Sequence, residues 1–311
     1  MTFDHPIRFA PHYQSRVWGG RRLQTVLGRT LPDATTPFGE SWEVSDRAEA
    51  MSATPEGLTL NDLWQKHRAE VFGGLQSASP SFPLLMKILD ACDDLSIQVH
   101  PPANIAPQLG GEPKTEMWFI AHADPGAKIY AGLKKGVTRA DFEAALANGT
   151  LAEVVHVLHP RTGDCLFIPS GRIHAIGAGL LIYEIQQNSD TTYRVFDWNR
   201  VGLDGKPRAL HIAESLASID FTDFEPAMQS AAADGTLAEC EHFAVKLRSE
   251  GPQIGRTGEN LTLAVTRGQI DLAGETFRAG DFAVLPAAMP ETARRVEKAS
   301  ADAQWLEIRV P

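Results

Sequence analysis

The sequence predicts a mainly β chain on three observations. Leu95-Ser-Ile-Gln-Val-His100 alternates apolar and polar residues at period two, the pattern of a half-buried strand. A Gly-Asp pair followed by a short apolar run and a proline occurs twice, at Gly163-Asp164 to Pro169 and at Gly280-Asp281 to Pro286. Helical spacing, by contrast, is confined to two short regions, near 60–72 and 138–158.

In chain order, residues 1–58 are rich in turns. Within them Val17-Trp-Gly-Gly20 and Phe38-Gly-Glu-Ser-Trp-Glu-Val44 predict strands, with close backbone approaches at the glycines. Thr59 predicts the cap of a helix over roughly 60–72 that buries Leu60, Leu63, Trp64 and Val71. Phe82 to Leu89 is an apolar run read as a strand, and composition alone points its Lys87 outward. Between Leu95 and Val99, Ser96, Gln98 and His100 leave one face of the strand. Lys114 to Ile120 predicts a further strand, with Lys114, Glu116 and Trp118 on one face.

A small α-insertion is expected next. Thr138 starts a helix carrying Phe142, Ala145 and Leu146 and closed by Gly149; Thr150 and Glu153 form a capping box for a second, with Leu151, Val154, Val155 and Leu158, ended by Pro160. Gly163-Asp164 then turns the chain, Cys165 to Ile168 is a short buried strand, and Pro169 with Gly171 makes a corner that delivers His174. Leu180 to Ile185 is an apolar strand in which Glu184 is out of place. Farther on, Leu261–Val265 and Gln269–Leu272 predict strands of a second β-barrel, with Glu291 where the first copy has His174.

The 311 residues fit two domains or one large β-rich unit, with 43% hydrophobic and 22% charged residues, ordinary for a soluble globular protein. No run approaches the roughly 18 apolar residues of a membrane span, and the N-terminus shows no signal-peptide pattern. Three widely spaced cysteines (Cys92, Cys165, Cys240) indicate neither a disulfide framework nor a CxxC zinc site. Together these favour the cytoplasm. A net charge of −10 without a Lys/Arg-rich run makes nucleic acid and anionic membranes poor partners. A small anion remains acceptable wherever a few cations gather.

The segment Gly163-x5-Pro169-x-Gly171-x2-His174 resembles the second signature of the cupin superfamily, whose histidine is a metal ligand; Ala178 stands where that signature has asparagine. In place of the first signature stand Gln98-Val-His100 and, after a longer loop, Glu116. With Val17-Trp-Gly-Gly20, Pro83-Leu-Leu-Met-Lys87, Leu95 to Pro101, Lys114-Thr-Glu-Met-Trp118, Tyr183 to Asp190 and Tyr193-Arg194 to Trp198, the chain resembles the type I phosphomannose isomerases in their short bacterial form. The resemblance implies two cupin-type jelly rolls with a helical insertion in the first. Residues 1–133 and 161–230 would form the metal-binding roll, 134–160 the insertion, and 236–311 a second roll without ligands.

It also implies one Zn2+ per chain held by Gln98, His100, Glu116 and His174, an N2O2 set suited to a borderline divalent ion. The implied reaction is the interconversion of mannose 6-phosphate and fructose 6-phosphate through a cis-enediol. Arg194, Lys114 and Glu184 are then catalytic candidates, and Lys87, Ser96 and Trp18 line the substrate site. For Glu184 a structural pairing with Arg194 or Lys114 is an equal alternative to a proton shuttle. Arg200 and Arg208 read as surface residues. Competing readings are an isomerase of another phosphorylated or free aldose, an iron-dependent cupin oxygenase, and a non-catalytic sugar-phosphate sensor. The chain is expected to be a monomer or homodimer.

Overall fold

The structure, a computed structural model, describes residues 2–75 and 77–311. Its sheets are antiparallel, as expected. A six-stranded sheet runs in the order His12–Gly20, Phe38–Val44, Leu84–Ala91, Leu180–Gln187, Glu116–Ala123, Cys165–Ile168. Facing it is a five-stranded sheet in the order Tyr193–Phe196, Ile97–Val99, His174–Ile176, Ile129–Leu133, Val155–Leu158. Trp18, Leu89 and Ile182 from the first meet Ile129, Ala131 and Ile176 from the second in one apolar cluster between the sheets.

The later part of the chain repeats the plan more simply. Strands Thr236–Glu239, Ala244–Arg248, Gln304–Arg309, Leu261–Arg267 and Phe282–Leu285 form one sheet, and Glu275–Arg278, Gln269–Leu272 and Val296–Ala299 a smaller one. Leu263, Val265, Ile270, Phe277 and Trp305 fill the space between them.

The six-stranded sheet is covered on both faces. Leu84, Met86, Ile88, Tyr183 and Ile185 turn toward the later sheets, where Tyr183 stacks on Phe282 at 5.6 Å and its hydroxyl donates to the Val265 carbonyl at 2.9 Å. The alternate residues, Lys87, Leu89, Ile182 and Glu184, are therefore aimed between the two sheets of the first unit. This corrects the outward reading of Lys87: neither face of its strand lies on the outer surface, and the residue is 3% exposed.

Two helical expectations change. Thr59 caps as predicted, with Asp62 completing the capping box, but the helix breaks at His67 into Leu60–Lys66 and Arg68–Phe72. The helix over Arg139–Ala147 forms under a Thr138–Asp141 capping box. The second insertion helix does not. Thr150 makes no cap, Leu151–Glu153 is a single 3-10 turn, and Val155–Leu158 is a strand pairing with Ile129–Leu133. Two adjacent valines and Val157 favour the pleated edge, and too few residues precede Pro160 to sustain a helix. The insertion helix, Leu151 and Ile219 cover the outer face of the five-stranded sheet against Val99, Tyr130 and Val195. Among the described residues no helix is long and apolar enough to cross a membrane.

Candidate metal centre and substrate pocket

The five-stranded sheet supplies Gln98, His100, His174 and Arg194. Gln98 sits opposite His174 on one side and Arg194 on the other, so their side chains share a face. The corner that ends in His174 is built as read from sequence: Gly163 and Gly171 adopt positive φ (95° and 91°), a conformation that costs a side chain. The Gly171 N–H donates to the His100 carbonyl at 2.9 Å, so the corner is tied to the strand bearing the other imidazole. Arg172 braces it with two 2.7 Å bonds to Asp223. From the six-stranded sheet come Lys114, Glu116, Trp118, Glu184 and Lys87; Glu184 lies directly between Lys87 and Trp118.

These groups meet. The ligand atoms of His100, Glu116 and His174 all lie within 4.8 Å of one another, and all three residues are buried. His100 Nε2 is 3.5 Å from Glu116 Oε2, His174 Nε2 is 3.4 Å from Glu116 Oε1, and the Gln98 amide is 3.3 Å from His174 Nε2. Two ligands about 2.1 Å from one ion at the tetrahedral angle would be about 3.4 Å apart. The two His–Glu spacings and the Gln98 contact match that separation, and the 4.8 Å limit of the cluster would tighten on a bound ion. His100 Nε2 and both Glu116 oxygens are buried without a well-aligned hydrogen bond; Lys114 Nζ at 2.9 Å offsets part of the cost at Glu116 Oε2, and a bound cation would offset the rest.

The imidazoles are oriented for the same purpose. Each Nδ1–H donates to a backbone carbonyl, His100 to Thr191 at 2.8 Å and His174 to Arg172 at 2.9 Å, which leaves both Nε2 lone pairs facing the centre. Burial pushes both below the ordinary histidine pKa, His100 well below, so both stand neutral. The Gln98 amide lies between His174 Nε2 and the Ser96 hydroxyl (3.3 Å), and either end of the amide can serve the partner that needs it.

Lys114 Nζ lies 2.9 Å from Glu116 Oε2 as an ion pair and donates weakly to Glu184 Oε1 at 3.4 Å. Burial opposes its charge, but the two carboxylates outweigh burial and raise its pKa, so it remains an ammonium. The carboxylates diverge. Burial would raise Glu116, yet Lys114 draws it below its ordinary value; burial, with the Glu116 charge adding to it, raises Glu184. One buried acid is kept ionised and its neighbour is ready to hold a proton.

A cavity of about 590 Å³ opens beside this centre. Every substrate-site residue expected from sequence lines it: Trp18, Lys87 and Ser96, along with Gln98, Lys114, Glu184 and Arg194. Trp118 also lines it and packs edge-on against His174 at 5.4 Å between ring centroids. Arg194 Nε donates to Ser96 Oγ at 3.2 Å. The sequence reading missed Arg16, Glu40, Asp190, Arg208 and His211, all in the lining. Arg208, read as a surface residue, holds Asp197 and faces the cavity; Arg200 is also largely covered, with 14% of its side chain exposed. Nothing in the composition of the residues after Arg194 shows that the chain returns to it through Ala209 and His211.

The close approach at the glycines explains Arg16. A Cβ on Gly39 would stand 2.6 Å from the Trp18 ring and 2.7 Å from Arg16 Cβ, so only glycine lets this strand lay Arg16 and Trp18 over the cavity. Arg16 then grips Glu40 through two bonds of 2.9 and 3.2 Å, and the Trp42 indole adds a third at 2.6 Å. Burial alone would raise the Glu40 carboxyl; Lys87, Arg16 and Trp42 overrule it and hold the pKa at about 2. A depressed folded-state pKa contributes stability above the unfolded value of 4.5 that is lost as pH falls toward about 2. Glu40→Gln is therefore expected to be less stable than the parent by about 3 kcal/mol at pH 7. Denaturant midpoints measured at several pH values should show the difference shrinking below pH 4.5.

Comparison with known proteins gives the same picture. The family model for the catalytic domain of type I phosphomannose isomerase matches residues 7–111. A mannose-6-phosphate isomerase of Streptococcus mutans is 36% identical over 297 residues, covering 90% of this chain and 92% of that protein. One of Bacillus subtilis is 35% identical, covering 94% and 96%. The crystal structure of the Bacillus subtilis mannose 6-phosphate isomerase superposes with a TM-score of 0.85 at 30% identity, covering 98% of this chain and 99% of that one. A structure from Archaeoglobus fulgidus, at 22% identity and a TM-score of 0.78, shares the fold. With relatives so alike over nearly their whole length, the chain belongs to the type I phosphomannose isomerases.

Proposed function

We propose that the chain is a metal-dependent aldose–ketose isomerase that interconverts mannose 6-phosphate and fructose 6-phosphate, with one Zn2+ held by Gln98, His100, Glu116 and His174. The observation that carries this reading is the convergence of buried ligand atoms on His100, Glu116 and His174 beside a cavity that also holds Lys114, Glu184 and Arg194. Two imidazoles, an amide and a carboxylate suit zinc and leave room for further oxygen ligands. When bound, the ion supplies a fixed positive charge that polarises the C1 and C2 oxygens.

The chain's own groups do the rest. A base removes the proton from C2 while the C1 carbonyl electrons move to O1, which takes up a proton, giving the C1–C2 double bond of a cis-enediol; O2 then gives up its proton as the C2 carbonyl forms and C1 is protonated. Glu184 is the proposed shuttle: buried, facing the cavity and with its pKa raised toward the working range. Lys114, held as an ammonium, donates to the oxygen on which negative charge develops, and Arg194 neutralises the same region from the opposite sheet. Lys87, Ser96 and Trp18 line the sugar site; Ser96 sets the Arg194 side chain.

The division into 1–133 with 161–230, the insertion 134–160 and a ligand-free unit 236–311 is proposed with it; the partition of the sheets supports the separation of 236–311, while Val155–Leu158 within the insertion belongs to the five-stranded sheet. A cytoplasmic location is supported by the three free cysteines, Cys92 exposed among them, and a monomer or homodimer is proposed with it. The function is tested by a coupled assay with mannose 6-phosphate run in deuterated water. Turnover with solvent deuterium at C1 of the product is expected. No turnover of any hexose phosphate overturns the activity, and a product free of solvent deuterium at C1 contradicts a shuttle that exchanges its proton with water.

A further inference from the structure

Next to Arg194 the cavity is lined by two groups that the reaction as described leaves idle, Arg208 and His211. Asp197 takes the Arg208 Nε at 2.7 Å and Nη2 at 2.5 Å, so the guanidinium is clamped along one edge. Among the described residues, nothing hydrogen-bonds its Nη1. His211 Nδ1 accepts the Arg194 backbone N–H at 3.2 Å, which puts the imidazole proton on Nε2. Arg194 itself donates to Ser96 and to the Ala209 carbonyl at 3.1 Å, so the backbone next to Arg208 is fixed to it.

Among the described residues Arg194 makes no ion pair here, although the Asp204 carboxylate lines the same stretch of the cavity. Arg194, Arg200 and Arg208 gather about Asp197, and Arg200 divides its bonds between Asp197 and Asp93. Burial and then the Arg208 charge hold Arg194 below its ordinary pKa, as expected where cations crowd. The opposite arm of the cavity is balanced, since Arg16 and Lys87 face Glu40 and Asp190. In a protein of net charge −10, an arginine without an ion pair beside a guanidinium with one free edge offers donors that match a dianion. Contacts run from Gln98 through Ser96 and Arg194 to Ala209, so Arg208 and His211 lie several steps beyond the metal ligands. In an extended hexose chain, the 6-phosphate likewise lies several bonds from C1 and C2.

We propose that Arg208 and His211 bind the phosphate group of the substrate, with Asp197 as the residue that positions Arg208, and that they make the site specific for a phosphorylated hexose. The inference rests on the isomerase reading above. It is tested by steady-state kinetics of the metal-loaded enzyme with mannose 6-phosphate, using inorganic phosphate as a competing inhibitor. Arg208→Ala is expected to raise KM and the phosphate inhibition constant together, by about tenfold or more, with kcat changed less than about threefold. His211→Asn is expected to move both by about threefold, and Arg208→Lys to fall between wild type and alanine because a lysine keeps the charge without the fork.

Lys206→Ala removes the same charge from an exposed position on the same loop, and should leave both constants within about twofold. Unmoved KM and phosphate inhibition in Arg208→Ala overturn the inference. So does a fall in kcat at constant KM, which would put Arg208 at the reacting carbons. If loss of the Asp197 clamp prevents Arg208→Ala from folding, the phosphate inhibition constants of Arg208→Lys and His211→Asn decide by the same criteria. A wild-type enzyme inactive on every hexose phosphate would strike the isomerase reading; an active one with unmoved variants strikes this inference alone.

Discussion

His174→Ala is expected to leave the metal site unable to hold its ion and to lower kcat/KM by about 10³-fold or more, some 4 kcal/mol of transition-state stabilisation. The ring is 0% exposed, and its Nε2 is one of the atoms gathered around Glu116. Its removal takes away a ligand and the partner that orients the Gln98 amide. Metal content by elemental analysis should fall well below one ion per chain, while the far-ultraviolet dichroism stays that of the parent. The residue occupies the first position of His174–Ile176, and the strand pairing through Ala175 and Ile176 persists without it. A variant that keeps both its metal and its turnover would contradict the assignment.

Lys114→Met is expected to separate chemistry from metal binding. The ammonium is the nearest cation to both Glu116 and Glu184, and it is 4% exposed. A methionine of similar length keeps the packing but removes the donor to the developing enediolate, at a cost of about 10³-fold in kcat. Glu184 would then face Glu116 without the intervening charge, so its proton would be held even more tightly. Metal content should stay near one ion per chain because none of the four proposed ligands is altered. Lys114→Arg should not restore activity, since a planar fork cannot occupy the space of a point charge held between two carboxylates. Turnover within tenfold of the parent in Lys114→Met would remove this residue from the mechanism.

Much of this centre was readable in one dimension because local rules set it. Gln98 and His100 share a face by the period of a strand, and Gly163, Pro169 and Gly171 turn the chain so that His174 follows at a fixed place. Glu184 stood out because an acid in an apolar strand needs a partner, and Lys114 and Trp118 supply it. The errors have a common origin in contacts between residues far apart in sequence. Lys87 was read as outward because its strand does not reveal that the later sheets cover its other face. Val155–Leu158 satisfies a helical spacing, and the free edge of Ile129–Leu133 decided otherwise. Arg16 and Glu40 become a buried pair only where Gly39 lets two strands close up. Arg208 turns inward because Asp197, eleven residues earlier, clamps it. No pattern in the neighbouring residues encodes that fold-back.

The most direct test of the central claim is to strip the protein with a chelator, assay mannose 6-phosphate turnover, and titrate Zn2+ back while counting bound ions. The account predicts activity lost with the metal and restored in proportion to occupancy, saturating at one ion per chain, with no such recovery in His174→Ala. Full turnover by protein verified to be metal-free would contradict it.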